Sequence, residues 1–136
     1  MRRCDGGGAG ERMKVLRLLI ADDSPDDALL IVHRARRAGY AVEWRRVETE
    51  RAFADSLPGV DLVICDYAMP AFSPTRALEQ IAERGVPTPL LLVSGSVSAE
   101  RAGELMALGA TGYVLKDQLD RLAAAIDDAL ARKPAA

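Results

Sequence analysis

The stretch Leu18–Asp27, LLIADDSPDD, runs an apolar segment straight into Asp22 and Asp23, and Asp26 and Asp27 follow after Ser24 and Pro25. Like charges this close repel: two unit charges ~4 Å apart cost about 1 kcal/mol in water and about 4 at an effective dielectric of ~20. Protonation or a cation must relieve them. Elsewhere Asp66 ends the apolar run DLVIC, Ser94 closes PLLLVS, and Lys116 follows TGYVL. Carboxylate oxygens without metal-type Cys/His spacing suit a hard divalent ion, and Mg²⁺ accepts few protein ligands and several waters. Such an ion would draw in a phosphoryl group, which a carboxylate can take as a nucleophile to give an aspartyl phosphate. Metal and ammonium would neutralise the equatorial oxygens of the transferring group. Lys116 is that ammonium, and Ser94 can donate a hydrogen bond to the product. Each residue alone has an ordinary explanation: helix approach for Asp22, Asp23 and Ser94, a turn before Met69-Pro70 for Asp66, a solvated strand end for Lys116. Ser24 already fills the helix cap, however, and the constellation carries the inference.

The elements that must position these groups alternate strictly. Strands are expected at Val15–Ile20, Ala41–Val47, Val60–Cys65, Pro89–Ser94 and Thr111–Leu115, each a β-branched or leucine-rich run. Helices are expected from Pro25 to Ala38, Thr49 to Ser56, Pro74 to Arg84, Ser98 to Leu108 and Asp117 to Arg132. Ser24 with Pro25, and Thr49, supply the starts, and Gly39, Gly85 and Gly109 the stops. Asp26 and Asp27 favour the positive end of the first helix dipole. Five βα units in this length predict an α/β fold: a doubly wound five-stranded parallel sheet in the order 2-1-3-4-5, flavodoxin-like. In such sheets ligands bind beyond the carboxyl ends of the strands, where the winding reverses. That is the gap between strands one and three, and the polar strand ends converge there.

Composition narrows the alternatives. The chain has 136 residues, 49% hydrophobic and 28% charged, which fits one globular domain. We expect a tail at 1–12, in the Gly-rich MRRCDGGGAGERM, and the domain at 13–134. The net charge of -2 favours neither nucleic acid nor an anionic membrane. Arg34, Arg36, Arg37, Arg45 and Arg46 read as a solvated helix end and strand edge, without the interleaved aromatics that a single-strand reader needs. Cys4 and Cys65 make no disulfide framework, Cys65 reads as a small buried hydrophobe, and the only histidine, His33, has no metal-type spacing. With no apolar signal core and no membrane-length apolar run, a cytoplasmic protein is expected.

At LLIADDSP, DLVICDYAMP, LLLVSG and GATGYVLKD the chain resembles the receiver domains of two-component response regulators, from about Lys14 to Arg132. A chemotaxis member of that family is a standard example of the 2-1-3-4-5 order, so topology and resemblance are one argument. The resemblance implies that Asp66 accepts phosphate from the phosphohistidine of a sensor histidine kinase or a phosphotransfer protein. It implies Mg²⁺ bound by Asp23 and Asp66, by Asp22 mostly through water, and by the Ala68 carbonyl. Ser94 would be the switch hydroxyl, Tyr113 the aromatic that turns inward with it, and Lys116 the phosphate partner. Output would run through an unidentified downstream protein, or a phosphorylation-dependent homodimer, at the last two helices and strand five. With ARKPAA closing the chain one helix after Lys116, no DNA-binding output domain is expected, so the chain is read as a stand-alone receiver or a fragment, and not as an enzyme.

Three positions depart from the family pattern. Members usually carry proline after the lysine, often in a cis bond; here Asp117 follows, and a cis bond without proline costs about 2.5–4 kcal/mol. The glycine common after Met-Pro is replaced within AFSPTRALE. Ala68 offers no polar side chain to orient an attacking water, so autodephosphorylation is expected to go unassisted from that position. Three alternatives are weaker. A haloacid-dehalogenase-type phosphatase would want an acid where Ala68 stands, and a flavin or nucleotide binder would want glycines where DDSPDD is acidic. A receiver-like interaction module that never phosphorylates would be favoured by loss of an acid or of the lysine, and all are present.

Overall fold

The structure is a computed structural model that describes residues 14–95 and 98–132. The expected tail at 1–12 lies outside the described residues. Five strands form one parallel sheet in the order β2-β1-β3-β4-β5: β1 Lys14–Ala21, β2 Tyr40–Val47, β3 Leu62–Cys65, β4 Leu90–Ser94 and β5 Gly112–Leu115. The connecting helices are α1 Pro25–Arg37, α2 Glu50–Ser56, α3 Pro74–Arg84 and α4 Ala99–Ala107, and α5 Leu122–Ala131 closes the fold. The expected doubly wound sheet is what forms.

Alternation along β1 builds two cores. Leu16, Leu18 and Ile20 pack with Ala28, Ile31, Val32 and Ala35 of α1 and with Leu122, Ile126 and Ala129 of α5. Leu19 and Ala21 face the other way, onto Phe53 of α2, Ala77 and Leu78 of α3 and Leu105 of α4. Successive side chains point to opposite faces, and every residue of β3 and β4 is buried, as a sheet covered on both sides requires. Hydroxyl caps start α1 to α4: Ser24 accepts from Asp27 N, Thr49 from Ala52 N, Ser73 from Arg76 N and Ser98 from Arg101 N. Gly85, at φ 65°, ends α3 in the left-handed region that favours glycine.

Two expectations need correction. Asp117–Arg132 is not one helix: a 3₁₀ segment spans Lys116–Arg121, with Gln118 at φ -126° and ψ 40°, and the α-helix begins only at Leu122. Leu119 is buried in the β1–α1–α5 core, so the chain must settle that side chain before α5 can start. β3 starts at Leu62 and not at Val60: Val60 N donates to Leu57 O in a turn, and Asp61 N makes the first bond to β1, at Arg17 O. No cis peptide bond occurs among the described residues, so Lys116–Asp117 is trans.

Candidate functional site

The site begins where the ladder around β1 runs one residue past each strand. Asp22 N donates to Val47 O at 3.1 Å, and Asp66 N donates to Ala21 O at 2.8 Å. These two bonds carry the carboxylates of Asp22 and Asp66 to adjacent tips at the reversal point between β1 and β3. Asp22 is 1% and Asp66 6% exposed, whereas Asp23 is exposed. One carboxylate oxygen from each of Asp22, Asp23 and Asp66 lies within 4.8 Å of the others.

Asp22 is held by its own loop. Its Oδ1 accepts the Ser24 N–H at 2.9 Å. Its Oδ2 is buried and faces the Lys116 ammonium. Lys116 Nζ stands 2.9 Å from that oxygen and offsets its charge, and it donates a hydrogen bond to Asp27 Oδ2 at 2.7 Å. Burial pushes the Asp22 carboxyl above its ordinary value, against the Ser24 N–H and the Lys116 ammonium, which favour the anion. Lys116 is affected the opposite way: burial lowers its proton affinity, but the Asp27 and Asp22 carboxylates outweigh this and hold the ammonium charged. Its distance to Asp66 Oδ2 is 3.6 Å.

These oxygens fit a divalent cation. The donor set is all carboxylate, and three carboxylate oxygens gathered within 4.8 Å carry more negative charge than one ammonium offsets.

Of the other expected residues, Ser94 ends β4 in register with Leu115, one position before Lys116, and is 1% exposed. Tyr113 lies on β5 and is 47% exposed, so its ring is not turned inward in this structure. Ala68 is exposed in the loop after β3. Cys65 is a free, fully buried thiol, as expected, and burial, with the nearby Asp66 and Asp22 charges, pushes its pKa far up.

Three residues gain contacts that the sequence reading lacked. Asp27 reads along the chain as a helix-dipole acid, yet it is the hydrogen-bond partner of Lys116. Arg46 reads along the chain as a solvated arginine, yet its Nη1 donates to the Asp22 carbonyl at 3.1 Å and to Glu48 at 2.9 Å. Arg101 of α4 lies 5.8 Å from the centre of the Tyr67 ring, next to Asp66, and donates to Thr75 and Glu104. None of the three has a local signal beyond its charge.

Sheet order and site together define a class: doubly wound α/β domains with an acidic cluster and a lysine at the switch point. The family described as the response regulator receiver domain matches residues 18–127, and the chain belongs to that family. Chemotaxis protein CheY of Treponema pallidum is 34% identical over 109 residues, covering 77% of this chain and 74% of that protein. Transcriptional regulatory protein FixJ of Bradyrhizobium diazoefficiens is 34% identical over 90 residues, 63% of this chain and 44% of FixJ, so the chain spans less than half of that relative. Among solved structures, a signal receiver domain from Vibrio parahaemolyticus superposes with a TM-score of 0.76 at 26% identity, covering 87% of this chain and 92% of that one. The chain is thus a receiver domain of the two-component type, a signal transducer. Among the described residues no helix is long and apolar enough to cross a membrane.

Proposed function

We propose that this receiver takes a phosphoryl group onto Asp66 from the phosphohistidine of a sensor histidine kinase or phosphotransfer protein, and that this switches its binding to a downstream protein. The observation that carries the reading is the gathering of Asp22, Asp23 and Asp66 oxygens within 4.8 Å with an ammonium 3.6 Å from Asp66. An Asp66 carboxylate oxygen attacks phosphorus, the P–O bond forms as the P–N bond breaks, and the electron pair returns to the imidazole nitrogen. Asp22, Asp23 and Asp66, with the Ala68 carbonyl, would hold Mg²⁺, which when bound neutralises phosphoryl oxygens and relieves the carboxylates of one another.

Lys116 orients and neutralises the transferred group, and Ser94, buried at the tip of β4, donates to it as the switch hydroxyl. Tyr113 follows Ser94 inward from its exposed position. The receiving surface is α4, β5 and α5, where Met106, Leu108 and Tyr113 are exposed; there a downstream protein or a second phosphorylated copy would bind. Receiver–kinase exchange of this kind is cytoplasmic. The test is to incubate the chain with Mg²⁺ and acetyl phosphate and weigh it intact. We expect one added phosphate in the wild type and none in Asp66→Asn. No mass gain with acetyl phosphate or any kinase would leave the non-phosphorylating interaction module.

A further inference from the structure

The hydrogen bond from Lys116 Nζ to Asp27 Oδ2, at 2.7 Å, is closer than the ammonium's approaches to Asp22 Oδ2 at 2.9 Å and Asp66 Oδ2 at 3.6 Å. Asp27 lies outside the three-carboxylate cluster. It reaches Lys116 from the first turn of α1, across a sequence separation of 89 residues. An ammonium is a compact charge on a flexible stem, so the carboxylates paired with it decide where it sits, and Asp27 is the closest of them.

We propose that Asp27 is a positioning residue that acts through Lys116: it holds the ammonium toward α1 and away from Asp66, and so competes with an incoming phosphoryl group for that cation. The inference rests on Asp66 being the phosphoacceptor. Phosphorylation adds negative charge beside Asp22 and Asp23, and the Asp27 charge opposes it by Coulomb repulsion. Toward a metal cation the sign reverses, because Asp27 attracts the cation and draws Lys116 away from the carboxylates that would bind it. Removing the Asp27 charge therefore moves two probes in opposite directions.

The test uses the full chain as wild type, Asp27→Asn, Asp27→Ser and Asp26→Asn, the last an exposed acid in the same helical turn. Mg²⁺ alone is titrated by calorimetry, and beryllofluoride at saturating Mg²⁺ is followed by ¹⁹F NMR. Both Asp27 variants should bind beryllofluoride about 5–10-fold tighter and Mg²⁺ about 2–3-fold more weakly, with Asp26→Asn within about twofold of wild type. Loss of structure would weaken both probes, so it cannot produce opposite shifts. Weaker binding of both probes, or equal shifts in Asp26→Asn, overturns the role of Asp27 while Asp66-dependent binding by the wild type stands. Beryllofluoride that fails to bind the wild type, or that binds Asp66→Asn equally well, overturns the phosphoacceptor reading and the inference with it.

Discussion

At the residue scale, the Asp22 carboxylate divides its two oxygens between different tasks. Oδ1 closes the loop onto Ser24, and Oδ2 stays buried with only the Lys116 charge against it. A cation that binds there stabilises the native state by mass action, by about 2.7 kcal/mol at 100 times its dissociation constant. Mg²⁺ should therefore raise the wild-type melting temperature, EDTA should reverse the rise, and Asp22→Asn and Asp23→Asn should lose most of it. Thermal melts across a Mg²⁺ series check this; an undiminished rise in both variants would place the ion elsewhere. Ala68 yields a second expectation at this scale. Ala68→Asn introduces a polar group beside Asp66 and should shorten the lifetime of the phosphorylated form, read by intact mass after the donor is removed. A lifetime equal to that of the wild type would show that the position does not limit hydrolysis.

At the element scale, the first residue of β2 is tied to α5. The Tyr40 hydroxyl donates a short hydrogen bond to Asp127 Oδ1, and Tyr40 is 6% exposed. Burial, then the Asp127 carboxylate, pushes the phenol from its ordinary 10.0 up to about 12. The folded pKa is raised, so the contribution to stability is fully present below the unfolded value near 10 and is lost as pH rises through about 12. Tyr40→Phe should cost about 1 kcal/mol in urea unfolding near neutral pH, because Asp127 stays solvated. It should also flatten the fall in stability between about pH 10 and 12 relative to wild type. An equal fall in both proteins would show that the Tyr40–Asp127 contact does not govern it. The 3₁₀ segment before α5 belongs to this scale as well. It sets Leu119 into the core three residues after Lys116, which fixes where the stem of the lysine starts.

At the scale of the whole molecule, two cores on opposite sheet faces keep the strand tips in place. Leu19 is fully buried on the α2–α4 face, three residues before Asp22. Leu19→Ala leaves a cavity in a sheet covered on both sides and should cost about 2–5 kcal/mol, with an unchanged urea m value. A cost below about 1 kcal/mol would mean that neighbours collapse into the gap. Phe53 and Phe72, with ring centres 5.0 Å apart, extend the same core under the loop that follows Asp66. Packing at this distance thus braces the site without touching it.

Much of this was legible along the chain, because it depends on neighbours a few residues apart. Apolar runs with turn residues between them specify strands, Ser24 and Thr49 cap the helices that follow them, and strict alternation implies the doubly wound order. The acids at Asp22, Asp23 and Asp66 and the lysine at 116 mark the strand ends by type and place. What the tertiary structure decided are meetings between distant segments: Asp27 with Lys116, Arg46 with the Asp22 carbonyl, Arg101 with Tyr67, and Tyr40 with Asp127. No local period encodes them, because each depends on how far a flexible side chain reaches across packed elements. The break between the 3₁₀ segment and α5 has the same origin, since burial of Leu119 outweighs the helical preference of the residues around it.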